Sequence, residues 1–274
     1  MRFKSLCVLL LIGLALIGGP AGAEQGPMPA GPGMAPAGKW QVGLSSTWQA
    51  AERFQDSLES TNYTHVLGSD PGSSIKLRDD RLYLASLAYG LHRRLTLEAR
   101  AGMAEGGVLA ETLTSGQLEA KLKPVFVWGL GVKGLVWERP NGLGLTAGLS
   151  YLRYDDRGLD YWHSADGWTT DQGHVTVDGH VDYWRLEANA LAHWRLGRFI
   201  PFLGMGYAYS ELKSLDTWYN PDRTFSTYDF STKNQDRWGL LGGMQAELCE
   251  GLSLGLNFAY FSREELGLSL NWSF

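Results

Sequence analysis

The chain has 274 residues and is rich in glycine and aromatic residues, with 35 Gly, 11 Trp, 12 Tyr and 10 Phe. Its formal net charge is −5 and its basic residues are scattered, which excludes a nucleic-acid-binding footprint. The mean hydropathy is only −0.18 despite the many aromatics. This combination is typical of transmembrane β-barrels, whose strands are apolar on one face alone.

The first residues have the parts of an export signal. Arg2 and Lys4 precede an apolar run from Leu6 to Ile17, and small residues then lead to Ala23. About a dozen apolar residues are too few for a spanning helix, which needs roughly 20. We therefore predict a signal peptide over 1–23, cleaved after Ala23.

The segment after the signal predicts no regular structure. Residues 24–38 are rich in Pro, Gly, Met and Ala without any period, so we predict a flexible lead-in there and a single barrel domain over 39–274. Cys249 is the only cysteine left after cleavage, so no intramolecular disulfide can form.

Alternation of apolar and polar residues predicts ten strands in the barrel domain. Strand side chains alternate between the two faces of a sheet, and about ten residues suffice for a tilted strand to cross a bilayer. The second strand is ambiguous, because apolar residues occupy both of its faces. The predicted strands cover 39–51, 81–91, 95–103, 126–133, 143–151, 183–194, 203–210, 237–248, 252–260 and 266–274.

The last predicted strand shows the alternation most clearly. In LGLSLNWSF, one face carries Leu266, Leu268, Leu270, Trp272 and Phe274, and the other carries only glycine and small polar residues. Across the chain, tryptophan, tyrosine and phenylalanine gather near the strand ends. Such rings prefer the membrane interface, so we predict two aromatic girdles.

The predicted connections alternate between long and short. Long segments at 55–80, 105–123, 155–179 and 212–235 are each followed by a tight turn, at 92–94, 139–142, 197–199 and 250–251. Long loops on one rim and short turns on the other characterise outer-membrane barrels. The fold class is therefore all-β, an antiparallel up-and-down transmembrane barrel of ten strands, with eight or twelve as alternatives.

Four blocks of sequence also resemble the small outer-membrane β-barrel proteins of Gram-negative bacteria, the porin-like or OmpA-barrel-like group. They are YGLHRRLTLEARAGMAE (89–105), FVWGLGVKGLVWE (126–138), YWRLEANALAHWRLGRFIPFLGMGYAYS (183–210) and GLSLGLNFAYFSREELGLSLNWSF (251–274). The resemblance implies location in the cell outer membrane and partners among outer-membrane lipid and lipopolysaccharide. It also implies that Trp272 and Phe274 form an assembly signal for the barrel-assembly machinery.

Candidate catalytic residues lie in the predicted long loops. The pair Asp79 and Asp80, with Asp178 and His180, faintly resembles the catalytic acids and acid-histidine pair of the omptin proteases. His163 and Ser164 would be the base and nucleophile of a lipid-A deacylase, but adjacent strand residues point to opposite faces. The spacing of His163, His174 and His180 follows no metal-ligand pattern. We predict no catalytic residue, cofactor or metal site.

The polar faces of the predicted strands carry charges of both signs. Pairing into a lumen network is more consistent with this mixture than a selectivity ring of one sign. The predicted network consists of Glu98, Arg100, Lys133, Arg185, Glu187, Arg237 and Glu247.

These features predict an integral outer-membrane barrel with a structural or surface-interaction role. Glycines on the lumen face leave room for the alternative, a narrow passive channel for small solutes, and a rim hydrolase is a third interpretation. Aromatic and polar residues in the long loops, such as Trp162, Trp168 and Trp218, suit either an extracellular ligand or packing over the barrel mouth.

Overall fold

The computed structural model describes residues 32–54, 74–113, 116–164, 176–219, 225–261 and 263–274. The predicted signal peptide, its cleavage site after Ala23 and the first part of the lead-in lie outside these ranges. Among the described residues, no helix is both long enough and apolar enough to cross a membrane.

The described chain forms one antiparallel sheet of twelve strand segments that closes into a ring. Neighbours in sequence pair with each other around most of the ring. The segments are β1 (Trp40–Arg53), β2 (Ser74–His92), β3 (Leu95–Leu113), β4 (Gly116–Leu122), β5 (Val125–Glu138), β6 (Leu143–Ser164), β7 (Thr176–Trp194), β8 (Phe199–Tyr219), β9 (Phe225–Lys233), β10 (Trp238–Cys249), β11 (Leu252–Tyr260) and β12 (Arg263–Ser273).

The twelve segments make ten wall positions, because two wall strands are interrupted. Both β4 and β5 lie between β3 and β6, and Pro124 separates them because proline has no N–H for the ladder. Both β9 and β10 pair with β8 and are separated at 234–237. The prediction of a ten-stranded, up-and-down barrel is confirmed.

Pairing between β1 and β12 closes the ring. The register runs from Gln41 opposite Ser273 to Glu52 opposite Arg263, and the Phe274 N–H donates to the Trp40 carbonyl at 3.0 Å. Among the described residues this pairing joins the first strand to the last, where an open edge would cost several kcal/mol for each unpaired backbone group in hydrocarbon.

The outer face of the ring is apolar and carries the aromatic girdles. Leu268, Leu270, Trp272 and Phe274 are exposed on this face, as their alternation predicts. In the ambiguous strand β2, Tyr83 points outward, while the leucines on either side of it are buried in the lumen. The girdle at the end of the barrel opposite the tight turns is called the upper girdle. In it, a row of four rings on neighbouring strands has centroid separations of 5.2 to 6.2 Å. The rings are Trp128, Tyr151, Trp184 and Tyr209.

Several strands extend well past the upper girdle. β6 has 22 residues and β8 has 21, about twice what a membrane crossing needs. Much of what the sequence predicts as long loops is therefore paired strand. The extension carries charged residues outward where a lipid-facing segment would carry apolar ones, so the apolar alternation ends before the strand does.

The end of the predicted lead-in is part of the folded barrel. Met34 and Ala35 are buried, and the Ala35 N–H donates to Thr96 Oγ1 at 3.1 Å. The Gly33 N–H donates to Gln245 Oε1 at 2.7 Å. Residues 32–36, at the end of the segment 24–38 predicted as a flexible lead-in, thus pack at the end of the lumen next to the tight turns. The sequence shows no sign of this packing, because the segment has no periodicity.

The positions of the turns give an expected orientation. A tag inserted at Asn141, in the turn between β5 and β6, should be hidden on intact cells, and one near Asp166 should be accessible to antibody. Asp166 itself lies outside the described residues. The exposed thiol of Cys249, at the same end as Asn141, provides a second readout. It should react with a membrane-impermeant maleimide only after permeabilisation, and labelling on intact cells would reverse the assigned orientation.

Candidate functional site in the lumen

The middle of the lumen contains two groups of ion pairs. In the first, Glu98 Oε2 lies 2.7 Å from Arg100 Nη2 and 3.3 Å from Lys133 Nζ. The Lys133 ammonium also donates to the Gly33 carbonyl at 3.1 Å. The charged group therefore holds the N-terminal segment inside the barrel.

The second group crosses the lumen between β7 and β12. Arg185 Nη1 lies 2.6 Å from Glu265 Oε1, and Arg263 Nε lies 2.7 Å from the same oxygen. Arg263 Nη2 also donates to Glu187 Oε2. Because β7 and β12 lie four wall positions apart, these pairs hold distant parts of the ring together.

Five of the seven predicted network residues are found in these groups, and two are not. Arg237 lies on the outer surface, where its guanidinium stacks 5.1 Å from the centroid of the Tyr209 ring and its Nη1 is 3.4 Å from the Tyr207 hydroxyl. It precedes the first residue of β10, so the alternation within that strand does not fix its direction. Glu247 lies near the turn at the other end of β10, and no ion pair joins it to another described residue.

The sequence prediction missed Arg263 and Glu265, which take the places assigned to Arg237 and Glu247. Both fall between the predicted strands 252–260 and 266–274, but β12 begins at Arg263. The alternation of the sequence indicates that both side chains face the lumen. Arg263 and Glu265 fall on the same face as Gly267, Ser269 and Asn271, which form the polar face of the last strand.

A third polar group lies between the central ion pairs and the end of the barrel opposite the tight turns. The fully buried Glu52 of β1 accepts hydrogen bonds from Gln49, from Tyr183 Oη at 3.0 Å and from Ser210 Oγ at 2.6 Å. Tyr183 and Ser210 lie on β7 and β8, on the far side of the ring. These bonds satisfy the carboxylate and also tie opposite walls together.

Arg157 and Asp80 form another buried ion pair. It lies in the outer half of the lumen, the half at the end of the barrel opposite the tight turns. Arg157 makes two hydrogen bonds to the Asp80 carboxylate, at 2.9 and 3.1 Å. It also donates to the backbone carbonyls of Lys123 and Gly106. A guanidinium is well suited to this, because its five N–H donors lie in one plane and match a carboxylate in a forked geometry.

An apolar core fills the space around these polar groups. This apolar core extends over seven wall strands, so the outer half of the lumen is packed like the interior of a soluble domain. Its members include Phe54, Leu77, Leu82, Leu109, Leu122, Leu152, Tyr154, Leu159, Val181 and Leu212.

Between this core and residues 32–36 lies a polar cavity of about 280 Å³. Arg100, Arg185 and Glu187 contribute the charges, and Asn189 and Asn257 contribute amides. The cavity has packed side chains above it and the N-terminal segment below it.

The candidate catalytic residues do not come together in the described part of the chain. Asp80 is committed to Arg157, whereas His180 is partly exposed and has its Nδ1 3.9 Å from Asp156. The side chains of His163, Ser164 and Asp178, and all of His174, lie outside the described structure. Among the described residues, no cluster of three or more His, Cys, Asp or Glu could hold a metal ion.

Comparison with known proteins finds no matching family model and no matching curated protein. Among solved structures, the outer membrane protease OmpT from Escherichia coli is similar, with a TM-score of 0.52 and 13% identity over 86% of this chain and 97% of that one. The outer-membrane protein OprG from Pseudomonas aeruginosa also matches, at 13% identity over 86% and 96% of the two chains and a TM-score of 0.44.

Together with the closed ring and its apolar belt, the OmpT likeness decides the class. The chain has the fold of an outer-membrane β-barrel. The identity is too low to transfer the protease activity of OmpT. In the described part of the chain, an apolar core packs in one half of the lumen and residues 32–36 lie in the other.

Proposed function

We propose that this outer-membrane barrel has a structural and surface-interaction role, and that it does not conduct solutes at rest. The filling of the lumen supports this proposal. A narrow barrel leaves little interior space even before a core is added. Here the apolar cluster and the Arg157–Asp80 pair occupy the half that a solute would have to enter from outside.

The interaction surface would be the strand extension above the upper girdle. Its strands are hydrogen-bonded to their neighbours, and it carries exposed charges of both signs. Arg81 and Arg153 are exposed on the outer face, and Arg153, which lies opposite Trp128 and Trp184, also pairs with Asp155 at 2.6 Å. Their guanidinium groups would suit the phosphates of lipopolysaccharide, which we propose as a partner together with the surrounding lipid.

The alternative, a narrow channel, is supported by the central polar cavity. Conduction would require both the apolar core and the N-terminal segment to move. A rim hydrolase has weaker support, because Asp80 is used in a structural ion pair. A fluorogenic peptide and a lipid-A substrate would reveal such an activity, and we expect neither to be cleaved.

Conductance in planar bilayers tests the closed lumen. We expect the purified barrel to show no stepwise conductance. A variant lacking residues 24–37 should also show none, because it retains the apolar core of the outer half. Single-channel steps from the intact protein would contradict the proposal. Steps from the truncated variant alone would show that the N-terminal segment is the only effective closure.

A further inference from the structure

A basic patch lies on the outer face of β1 and β2, beyond the upper girdle. It consists of Arg53, Lys76, Arg78 and Arg81. Trp48 of the girdle lies opposite Arg81 in the ladder, and the other three follow toward the end of the barrel opposite the tight turns. Residues that alternate with them, such as Glu52 and Leu77, are buried in the lumen, so the basic side chains point outward.

Two cations of the basic patch face each other without a counter-charge. Arg53 and Lys76 are direct partners in the β1–β2 ladder. Among the described residues, neither side chain forms an ion pair or a hydrogen bond, whereas Arg78 pairs with Glu119 at 2.5 Å. Like charges directly opposite each other destabilise a sheet. An anion bound between Arg53 and Lys76 would remove this repulsion.

The wall at β6 and β7 has a different charge above the upper girdle. Arg153 is paired there with Asp155, and Asp182 is a further carboxylate on the outer face. Near the basic patch, Asp79 and Glu105 are exposed, but neither forms an ion pair with it in the described part of the chain. The uncompensated positive charge is therefore on the side of the barrel formed by β1 and β2.

The level of the basic patch in the membrane favours an anionic lipid headgroup. A strand rises about 3.3 Å per residue and is tilted by about 40°, so Arg53 stands roughly 12 Å beyond Trp48. Basic side chains clustered directly beyond the membrane interface attract anionic headgroups. Guanidinium binds phosphate in a forked geometry, and an ammonium adds a point charge to the same anion.

Given that lipopolysaccharide is the partner proposed for this barrel, we infer that one molecule of it is held at β1 and β2. One of its phosphates lies between Arg53 and Lys76 and neutralises both. Arg81, at the level of Trp48, adds to the positive field below that phosphate. The site distinguishes this side of the barrel from the wall at β6 and β7, where Asp155 and Asp182 would repel the same phosphate.

Fluorescence anisotropy can test the site on the full barrel refolded in detergent. The probe is labelled short-core lipopolysaccharide, and unlabelled samples with and without their phosphates compete with it. We expect removal of the phosphates to weaken binding to the parent about tenfold, equivalent to ~1.4 kcal/mol. The double variant Arg53→Gln with Lys76→Gln should bind both forms equally, at the weaker level. Added salt should reduce the parent's preference, because both cations are at the surface.

The matched control removes the same charge at the opposite end of the barrel. Arg93→Gln with Arg94→Gln changes two exposed arginines in the turn between β2 and β3 and should bind as the parent does. A phosphate preference in the Arg53 and Lys76 double variant equal to the parent's would overturn the inference. So would equally tight binding of a sulfated oligosaccharide to the parent, which would make the basic patch a site for soluble polyanions.

A third variant separates this inference from the proposed partner. If Arg153→Gln loses the phosphate preference and the double variant keeps it, lipopolysaccharide remains the partner but its site is on β6. If the parent shows no phosphate-dependent binding, both the partner and the site are wrong. A heat-shift gel checks that each variant is folded. If the double variant does not fold, Arg53→Gln alone should still lose part of the preference, and an unchanged preference would overturn the inference.

Discussion

Arg263→Ala should lower the free energy of unfolding by about 3–5 kcal/mol, the cost of removing one partner from a buried ion pair. Arg263 is 1% exposed and neutralises carboxylates on two strands, Glu187 on β7 and Glu265 on β12. Without it, two buried carboxylates share the single charge of Arg185. Urea unfolding in detergent, followed by the shift between folded and unfolded bands on a gel, measures the change.

Arg237→Ala is the matched control. This arginine has only an exposed stacking contact with Tyr209 and a long hydrogen bond to Tyr207, so its loss should cost about 1 kcal/mol or less. Glu187→Ala should also destabilise the barrel, and the double variant Arg263→Ala with Glu187→Ala should cost less than the sum of the two. Equal stability of Arg263→Ala and Arg237→Ala would mean that water reaches the central ion pairs.

Period-two alternation was enough to predict the wall of the barrel. A lipid-facing strand must be apolar on one side and tolerate polar residues on the other, so the last strand could be assigned to its face from its sequence alone. The same rule identified five of the lumen charges. It failed at Arg237, because that residue lies outside regular strand, and at Arg263, because charged residues near a hairpin are easily mistaken for its turn.

The contents of the lumen could not be predicted in this way. The N-terminal segment donates hydrogen bonds to Thr96 Oγ1 and Gln245 Oε1 and accepts one from Lys133, and these three residues are distant from it in sequence. Much of the apolar core of the outer half comes from inward-facing residues in segments that the sequence assigns to loops, such as Leu77, Leu109 and Leu159. Each of these features depends on tertiary contacts, which alternation does not encode.

A terminal aromatic residue such as Phe274 could have two roles, packing in the membrane interface or acting as an assembly signal, and substituting it distinguishes them. Its ring is 55% exposed on the outer face and packs against Trp272, with centroids 5.3 Å apart. Its N–H closes the ring to Trp40. A hydrogen bond contributes about 0.5–1.5 kcal/mol and a fully buried ring about 1.5–3 kcal/mol, so a half-exposed ring contributes less. Such a loss is small for a barrel that is paired around its whole circumference.

Phe274→Ala should therefore leave refolding in detergent nearly unchanged, because the backbone hydrogen bond to Trp40 is retained. In cells we expect the variant to accumulate in the periplasm, since the resemblance to other outer-membrane barrels makes this residue part of the assembly signal. Phe258→Ala is the matched control, because it removes a partly exposed phenylalanine from the same face of adjacent β11. Fractionation of cells at ordinary expression compares the two. Normal outer-membrane levels of Phe274→Ala, or equal losses for both variants, would reduce Phe274 to one lipid-facing ring among many.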